Sequence, residues 1–101
     1  MSTNYSFLGE GVTEEQLLKA AKKCNIVIAK RDKSDICLTN GTDHLWFYAN
    51  DDKQFYSATR WGNNYGADET ILEPIMNELD IEWASEDEVA YQEYMSQDEV
   101  D

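Results

Sequence analysis

Apolar side chains recur with helical spacing in the first quarter of the chain. Leu17, Ala21 and Cys24 lie at i, i+4 and i+7, and Leu18 lies beside the first of them. Lysines occupy positions between these apolar residues. Thr13 and Gln16 have the spacing of a capping box, in which each side chain binds a free backbone N–H at the start of a helix. The pattern predicts an amphipathic helix over residues 12–24.

The middle of the chain has the composition and alternation of β-strands. Strand-like runs cover residues 26–28, 35–39, 44–49 and 54–60. The pair Asn40-Gly41 favours a two-residue type I′ turn because both residues tolerate positive φ angles. Such a turn would place Cys37 opposite His44. We therefore expect a meander of three or four antiparallel strands.

Both faces of this predicted meander carry large apolar groups. One face would hold six residues, namely Ile36, Leu38, Leu45, Phe47, Tyr56 and Ala58. Trp46, Tyr48 and Phe55 would lie on the other face. An antiparallel sheet with one wet face alternates apolar with polar residues. The second face therefore needs a cover, either from helices of the same chain or from another molecule, and its three aromatic residues are a candidate dimer or ligand face.

Two further helices are predicted after the strands. Thr70 and Glu73 repeat the capping-box spacing, and an apolar stripe follows over residues 71–79. Ser85 and Glu88 indicate another helix start. The expected fold class is α+β, with an N-terminal helix, a three- to four-stranded antiparallel β-meander and two C-terminal acidic helices. Residues 1–97 would form one domain, and residues 98–101 an acidic frayed tail.

Charge is distributed unevenly along the chain. The protein has 101 residues, 21 acidic and 8 basic, which gives a formal charge of −13. All eight basic residues lie at or before Arg60, and eight acidic residues balance them there, so the net charge belongs to residues 61–101. Between residues 16 and 34, six basic residues accompany only Asp32. Whether this basic segment neutralises the acidic helices within the fold is open, but so acidic a protein is not expected to coat nucleic acid.

The residues offer little for catalysis or metal binding. Cys24 and Cys37 lack the spacing of a zinc site, and His44 is the single histidine. The acidic run at residues 85–88 lacks the glycine of a calcium loop. We expect no catalytic residue, metal or cofactor, and hence no enzyme. The chain also lacks an apolar run of roughly 20 residues, so we expect a cytoplasmic protein of a bacterial or host cell that does not contact the membrane.

Acidic and aromatic residues near the C-terminus are the candidate partner-binding site. On a helix, Glu69 with Glu73 and Glu78 with Glu82 would form rows of negative charge at i, i+4 spacing. Such rows suit a basic protein groove that otherwise holds a nucleic-acid backbone. Aromatic residues among them would anchor the contact, unless they belong to the core. The candidates are Asp68, Glu69, Glu73, Glu78, Asp80, Glu82, Trp83, Glu86, Asp87, Glu88, Tyr91 and Glu93.

Residues 68–101 resemble, in charge and composition, the small acidic inhibitors of phages and mobile elements. These include anti-restriction and anti-CRISPR proteins that imitate DNA, and the acidic immunity proteins that block nuclease toxins. The resemblance implies an inhibitor that competes with nucleic acid for a basic surface of a nucleic-acid-binding enzyme or complex, without binding nucleic acid itself. Two alternatives are a nucleotide-binding or sequestering module and a self-associating structural protein that forms a homodimer through the aromatic sheet face. The first would use Lys19, Lys22, Lys23, Lys30 or Arg31.

Overall fold

The computed structural model describes residues 2–9, 11–61 and 66–85, and their strands form one antiparallel sheet. The sheet has seven strands, in the order β3-β4-β5-β6-β1-β7, and the short β2 pairs with β6. Their bounds are β1 Ser2–Leu8, β2 Val12–Thr13, β3 Val27–Asp32, β4 Asp35–Thr39, β5 His44–Ala49, β6 Gln54–Trp61 and β7 Glu82–Ser85. Among these strands, β3 and β7 are the two edges.

Two helical segments share one face of this sheet. The first is α1 (Glu14–Lys23), and the second begins as a π-helical turn (Asp68–Leu72) that continues as α2 (Glu73–Leu79). Side chains from both segments and from the inner face of the sheet form a single buried cluster. Its largest fully buried members are Tyr5, Phe47, Phe55, Leu17, Ile36, Leu38, Leu45, Ile71, Leu72, Ile75, Met76 and Val12. The helices and the sheet therefore form two layers around one core.

The start of α1 confirms the capping box. The Gln16 backbone N–H donates to the Thr13 hydroxyl at 3.2 Å, and the Thr13 N–H donates to the Gln16 side-chain oxygen at 3.0 Å. Leu17, Ala20 and Ala21 face the core. The local sequence is thus sufficient to specify this helix.

The capping prediction at Thr70 is wrong, because Thr70 lies inside the helical segment. Its hydroxyl lies 2.9 Å from the Asp43 carboxylate and 2.8 Å from the Gly66 carbonyl. Pro74 occupies the first turn of α2. A proline ring inside an α-helix clashes with the carbonyl four residues earlier, and for Pro74 that carbonyl belongs to Thr70 in the π-helical turn rather than to α2.

The β4–β5 hairpin has a four-residue loop, so the predicted two-residue turn is wrong. Leu38 faces Leu45, and Cys37 faces Trp46. The Asn40 side-chain oxygen accepts from two backbone N–H groups two and three residues later, at 2.9 and 2.8 Å, and this bonding competes with a type I′ turn. The register slips by two residues, which leaves each side chain on its predicted face.

A β-bulge in β6 changes which aromatic residues face the core. Tyr48 pairs with Ser57 and Ala49 pairs with Phe55, so Tyr56 is an extra residue on its strand. The bulge turns Phe55 into the core, where it is 1% exposed, and turns Tyr56 outward. The prediction placed Tyr56 on the face of Phe47 and Phe55 on the face of Trp46, and both placements are wrong because the two side chains are exchanged.

The predicted architecture is also wrong at both ends of the chain. Two strands precede the first helix, and the sheet has seven strands rather than three or four. Ser85, the predicted start of a second C-terminal helix, ends β7, which pairs with β1 through Phe7 and Trp83. The described residues contain α1 and one helical segment that ends in α2. The rest of the second predicted C-terminal helix and the tail at 98–101 lie outside the described residues.

Candidate partner-binding site

Most of the predicted acidic residues that the structure describes are exposed. Glu69, Glu73, Glu78, Asp80 and Glu82 are exposed, and Asp68 is half-buried. Glu78 forms an ion pair with Lys23 of α1 at 3.5 Å. The other ion pair between described residues joins Arg31 to Glu14. The basic segment therefore neutralises one of the six predicted carboxylates in this part of the chain.

The two predicted helical rows of carboxylates do not form. α2 ends at Leu79, Asp80 adopts a left-handed conformation with φ of 57°, and Glu82 begins β7. Glu78 and Glu82 therefore lie on different elements. Glu69 lies in the π-helical turn and Glu73 lies at the start of α2, so the i, i+4 geometry of an α-helix does not apply to them.

The fold instead brings two of these acids together at the edge of the sheet. Glu73 and Glu82 line a groove of about 360 Å³ between α2 and the β1–β7 edge. The other lining residues are Leu8, Asn77, Ile81 and Trp83. We call this site the acidic groove. It combines exposed carboxylates with apolar side chains.

Trp83 holds a fixed position beside these carboxylates. It faces Phe7 across the β1–β7 pair, and its ring meets the Tyr5 ring edge-on. Trp83 is half-buried, so part of the indole remains accessible at the groove. An indole flanked by carboxylates suits an arginine or lysine side chain, which can bind the ring face as a cation and the carboxylates through charge-assisted hydrogen bonds.

Five of the predicted partner-binding residues lie outside the described residues. They are Glu86, Asp87, Glu88, Tyr91 and Glu93. The acidic groove thus contains three of the twelve candidates, Glu73, Glu82 and Trp83. Sequence reasoning missed Leu8, Asn77 and Ile81, which the fold brings from β1, from α2 and from the link between α2 and β7.

The predicted dimer or ligand face is only partly present. Trp46 and Tyr48 lie half-buried on the sheet face opposite the helices, and the Trp61 indole N–H donates to the Tyr48 hydroxyl at 3.2 Å. Phe55 belongs to the core, because of the bulge at Tyr56. The aromatic candidates therefore divide between the two sides of the sheet.

The basic residues of the nucleotide-binding alternative also divide between elements. Lys19, Lys22 and Lys23 belong to α1, on the helical side of the sheet. Lys30 lies opposite Cys37 in β4, on a sheet edge, and Arg31 is engaged by Glu14. The structure does not gather these five side chains around Trp46 and Tyr48.

The cysteine–histidine pairing predicted from the hairpin is absent. Thr39, not Cys37, faces His44. Burial raises the pKa of the Cys37 thiol, although a backbone hydrogen bond with Leu45 and the charge of Lys30 oppose the shift. A raised pKa disfavours the nucleophilic thiolate. Within residues 2–9, 11–61 and 66–85, no three His, Cys, Asp or Glu side chains lie together as metal ligands would.

The helices of the described chain are too short and too polar to cross a bilayer.

Comparisons of the sequence with protein-family models and with curated proteins, and of the fold with solved structures, find no match.

Proposed function

We propose that the protein binds a basic surface of a nucleic-acid-binding protein through the acidic groove, and so competes with nucleic acid for that surface. The observation that supports this most is the position of Glu73 and Glu82, two exposed carboxylates that line one groove with the half-buried Trp83. None of the residues that line the groove is basic, and the chain has no basic residue after Arg60.

Binding at this groove would require little reorganisation. Glu73 and Glu82 form no ion pair with any other described residue, so no internal contact has to break before they meet a cation. α2 and β7 hold the two carboxylates in place, which lowers the ordering cost of association. Aromatic and arginine side chains are where interface energy concentrates.

The direct test uses an octa-arginine peptide as the probe. The ¹⁵N-labelled protein is titrated with the peptide, and the expected result is a set of chemical-shift changes at Glu73, Asn77, Glu82 and the Trp83 indole. Affinity should fall steeply between about 0.05 and 0.5 M salt, because exposed charge pairs are screened. Shifts spread evenly over all exposed acids, or an affinity that salt does not change, would contradict the proposal.

A pair of matched variants separates the groove from general negative charge. Glu73→Gln with Glu82→Gln removes two charges at the groove, and Asp51→Asn with Asp52→Asn removes two charges at the exposed β5–β6 turn. The first variant should weaken peptide binding by about tenfold or more, and the second by less than about threefold. Competition is then tested with a nucleic-acid-binding protein captured from native lysate, which the wild type should release from a fluorescent oligonucleotide and the groove variant should not.

A further inference from the structure

The edge of the sheet opposite the acidic groove carries a second groove of different character. α1 and β3 enclose about 520 Å³ at this edge, lined by Leu18, Ala21, Lys22, Asn25, Ile26, Val27 and Ile28. Val27 is 62% exposed and Ile28 is 40% exposed. Two neighbouring aliphatic residues thus face solvent at a concave site, which is typical of interaction surfaces.

The backbone of β3 is unpaired on its outer side in the part of the chain that the structure describes. There β3 pairs with β4 alone, and all six of its residues are exposed. Every second residue of an antiparallel edge strand directs its N–H and C=O away from the neighbouring strand. A register shift between Ile28 and Lys30 divides the edge into two short stretches. These polar groups can pair with an added strand.

Basic residues lie along this edge on an otherwise acidic protein. Lys22 lines the groove, whereas Lys30 shares the sheet face of Cys37 and Trp46, away from α1. Arg31 belongs to β3, and Lys33 follows the strand. Arg31 is paired with Glu14, but Lys22, Lys30 and Lys33 form no ion pair with another described residue. The edge therefore favours an anionic partner.

We propose that the β3 edge is a docking site for an extended acidic segment of a partner protein. The segment adds a strand beside β3, and its aliphatic side chains enter the groove between α1 and β3, at whose wall Lys22 lies. Its alternate carboxylates point to the other face of the sheet and meet Lys30, with Lys33 at the end of the strand. This site is distinct from the acidic groove and does not depend on the function proposed for it.

Charge and hydrogen bonding favour an acidic strand over other occupants. Lysines on an edge strand oppose pairing with basic edges. They also oppose pairing with β3 of a second copy, because the same lysines would then approach one another. A fatty acid could fill the groove with its chain, but it would leave the N–H and C=O groups of β3 unpaired.

The test titrates the ¹⁵N-labelled full chain with a capped heptapeptide of alternating glutamate and valine. We expect shifts at Leu18, Ile28 and the β3 amides, with slower amide exchange at alternate β3 residues. A lysine–valine peptide should bind at least about tenfold more weakly, since its charges meet lysines. The acidic peptide with proline at its central valine should also bind more weakly, because proline lacks an N–H and fits a strand poorly.

Neighbouring lysines of α1 supply a matched control. Lys22 lines the groove, whereas the adjacent Lys23 is paired with Glu78 of α2. Lys22→Gln should weaken acidic-peptide binding by about threefold or more, while Lys23→Gln, which removes the same charge next to it, should change it by less than about twofold. Thermal unfolding of each variant shows whether the fold is retained.

Several outcomes would overturn the proposal. These are no shifts at β3, equal binding of the acidic and basic peptides, undiminished binding of the proline peptide, and equal effects of the Lys22 and Lys23 substitutions. Shifts of the groove residues with decanoate but not with the peptide would instead identify an amphiphile site and would also refute it. The octa-arginine titration reports on Glu73 and Glu82 at the other edge, so failure of either proposal is distinguishable from failure of the other.

Discussion

The Trp83 ring meets the Tyr5 ring edge-on, with the ring centroids 5.5 Å apart and 80° between the ring planes. Tyr5 is 2% exposed and pairs with Ala58 in the middle of the sheet, so this contact ties the edge strand β7 to the core. The same indole lines the acidic groove. One side chain therefore supports both the edge of the fold and the proposed binding site.

Replacement of Trp83 should destabilise the protein measurably. Trp83→Ala removes a half-buried ring and its aromatic contact, and we expect a loss of about 2–3 kcal/mol in the free energy of unfolding. Trp83→Phe keeps a ring opposite Tyr5, so its loss in the free energy of unfolding should be less than half of that for the alanine variant. Urea denaturation followed by far-UV circular dichroism measures both, and a loss below about 0.5 kcal/mol for the alanine variant would show that β7 contributes little.

The capping box of α1 makes a second prediction. Thr13→Ala removes the oxygen that accepts the Gln16 N–H, and it should lower the free energy of unfolding by about 1 kcal/mol. Thr13→Ser keeps an acceptor and should remain close to the wild type. Thr42→Ala, at an exposed loop residue, is the control and should have little effect. Equal losses for the alanine and serine variants at Thr13 would show that the hydroxyl is not the relevant group.

Local signals determine which parts of the fold could be predicted from the sequence. The start of α1 depends on residues within one helical turn, so the Thr13–Gln16 spacing was sufficient. In the β4–β5 loop, Asn40 could adopt a positive φ in a two-residue turn or accept hydrogen bonds through its side chain. The bulge at Tyr56 depends on how β6 pairs with its neighbouring strands. The alternation of apolar and polar residues along a single strand predicts neither the turn type nor the bulge.

The missed strands did leave signals in the sequence. Tyr5 and Phe7 alternate with the polar residues Asn4 and Ser6, which is the pattern of a half-buried strand. Ile81 and Trp83 alternate in the same way after the helix. The charge pattern left open whether these acids are exposed or paired with the basic segment, and only the β1–β7 pairing places Leu8, Glu73 and Glu82 around one groove.

The hairpin loop predicts different outcomes for two substitutions of Asn40. The side-chain oxygen accepts the N–H groups of Thr42 and Asp43, and Asn40 itself does not adopt a positive φ. Asn40→Asp keeps an acceptor and should cost less than about 0.5 kcal/mol, while Asn40→Ala should cost about 1 kcal/mol. Denaturation of both variants checks this. Equal losses for the two variants would show that the side-chain acceptor at this position does not stabilise the loop.

The Cys37 thiol should react slowly and affect stability in alkali. Burial raises its pKa above the usual 9.0, so the folded protein holds the thiol proton at a pH where the unfolded chain has lost it. This contribution to stability is complete below about pH 9 and declines as pH rises above that value. We expect slow alkylation by iodoacetamide at pH 8 that accelerates in urea, and Cys37→Ala should reduce the alkaline loss of stability. Equal alkylation rates in the folded and unfolded states would contradict this account.

The ion pair between Lys23 and Glu78 should contribute little to stability. Both side chains are substantially exposed, at 59% and 40%, and solvent screens such pairs. A double-mutant cycle with Lys23→Gln and Glu78→Gln should give a coupling energy of about 0.2–1 kcal/mol that decreases at high salt. A coupling above about 2 kcal/mol would indicate that α1 holds the Glu78 carboxylate firmly. Glu78 would then be unavailable to a basic partner, whereas Glu73 and Glu82 of the acidic groove, which this pair does not involve, would remain accessible.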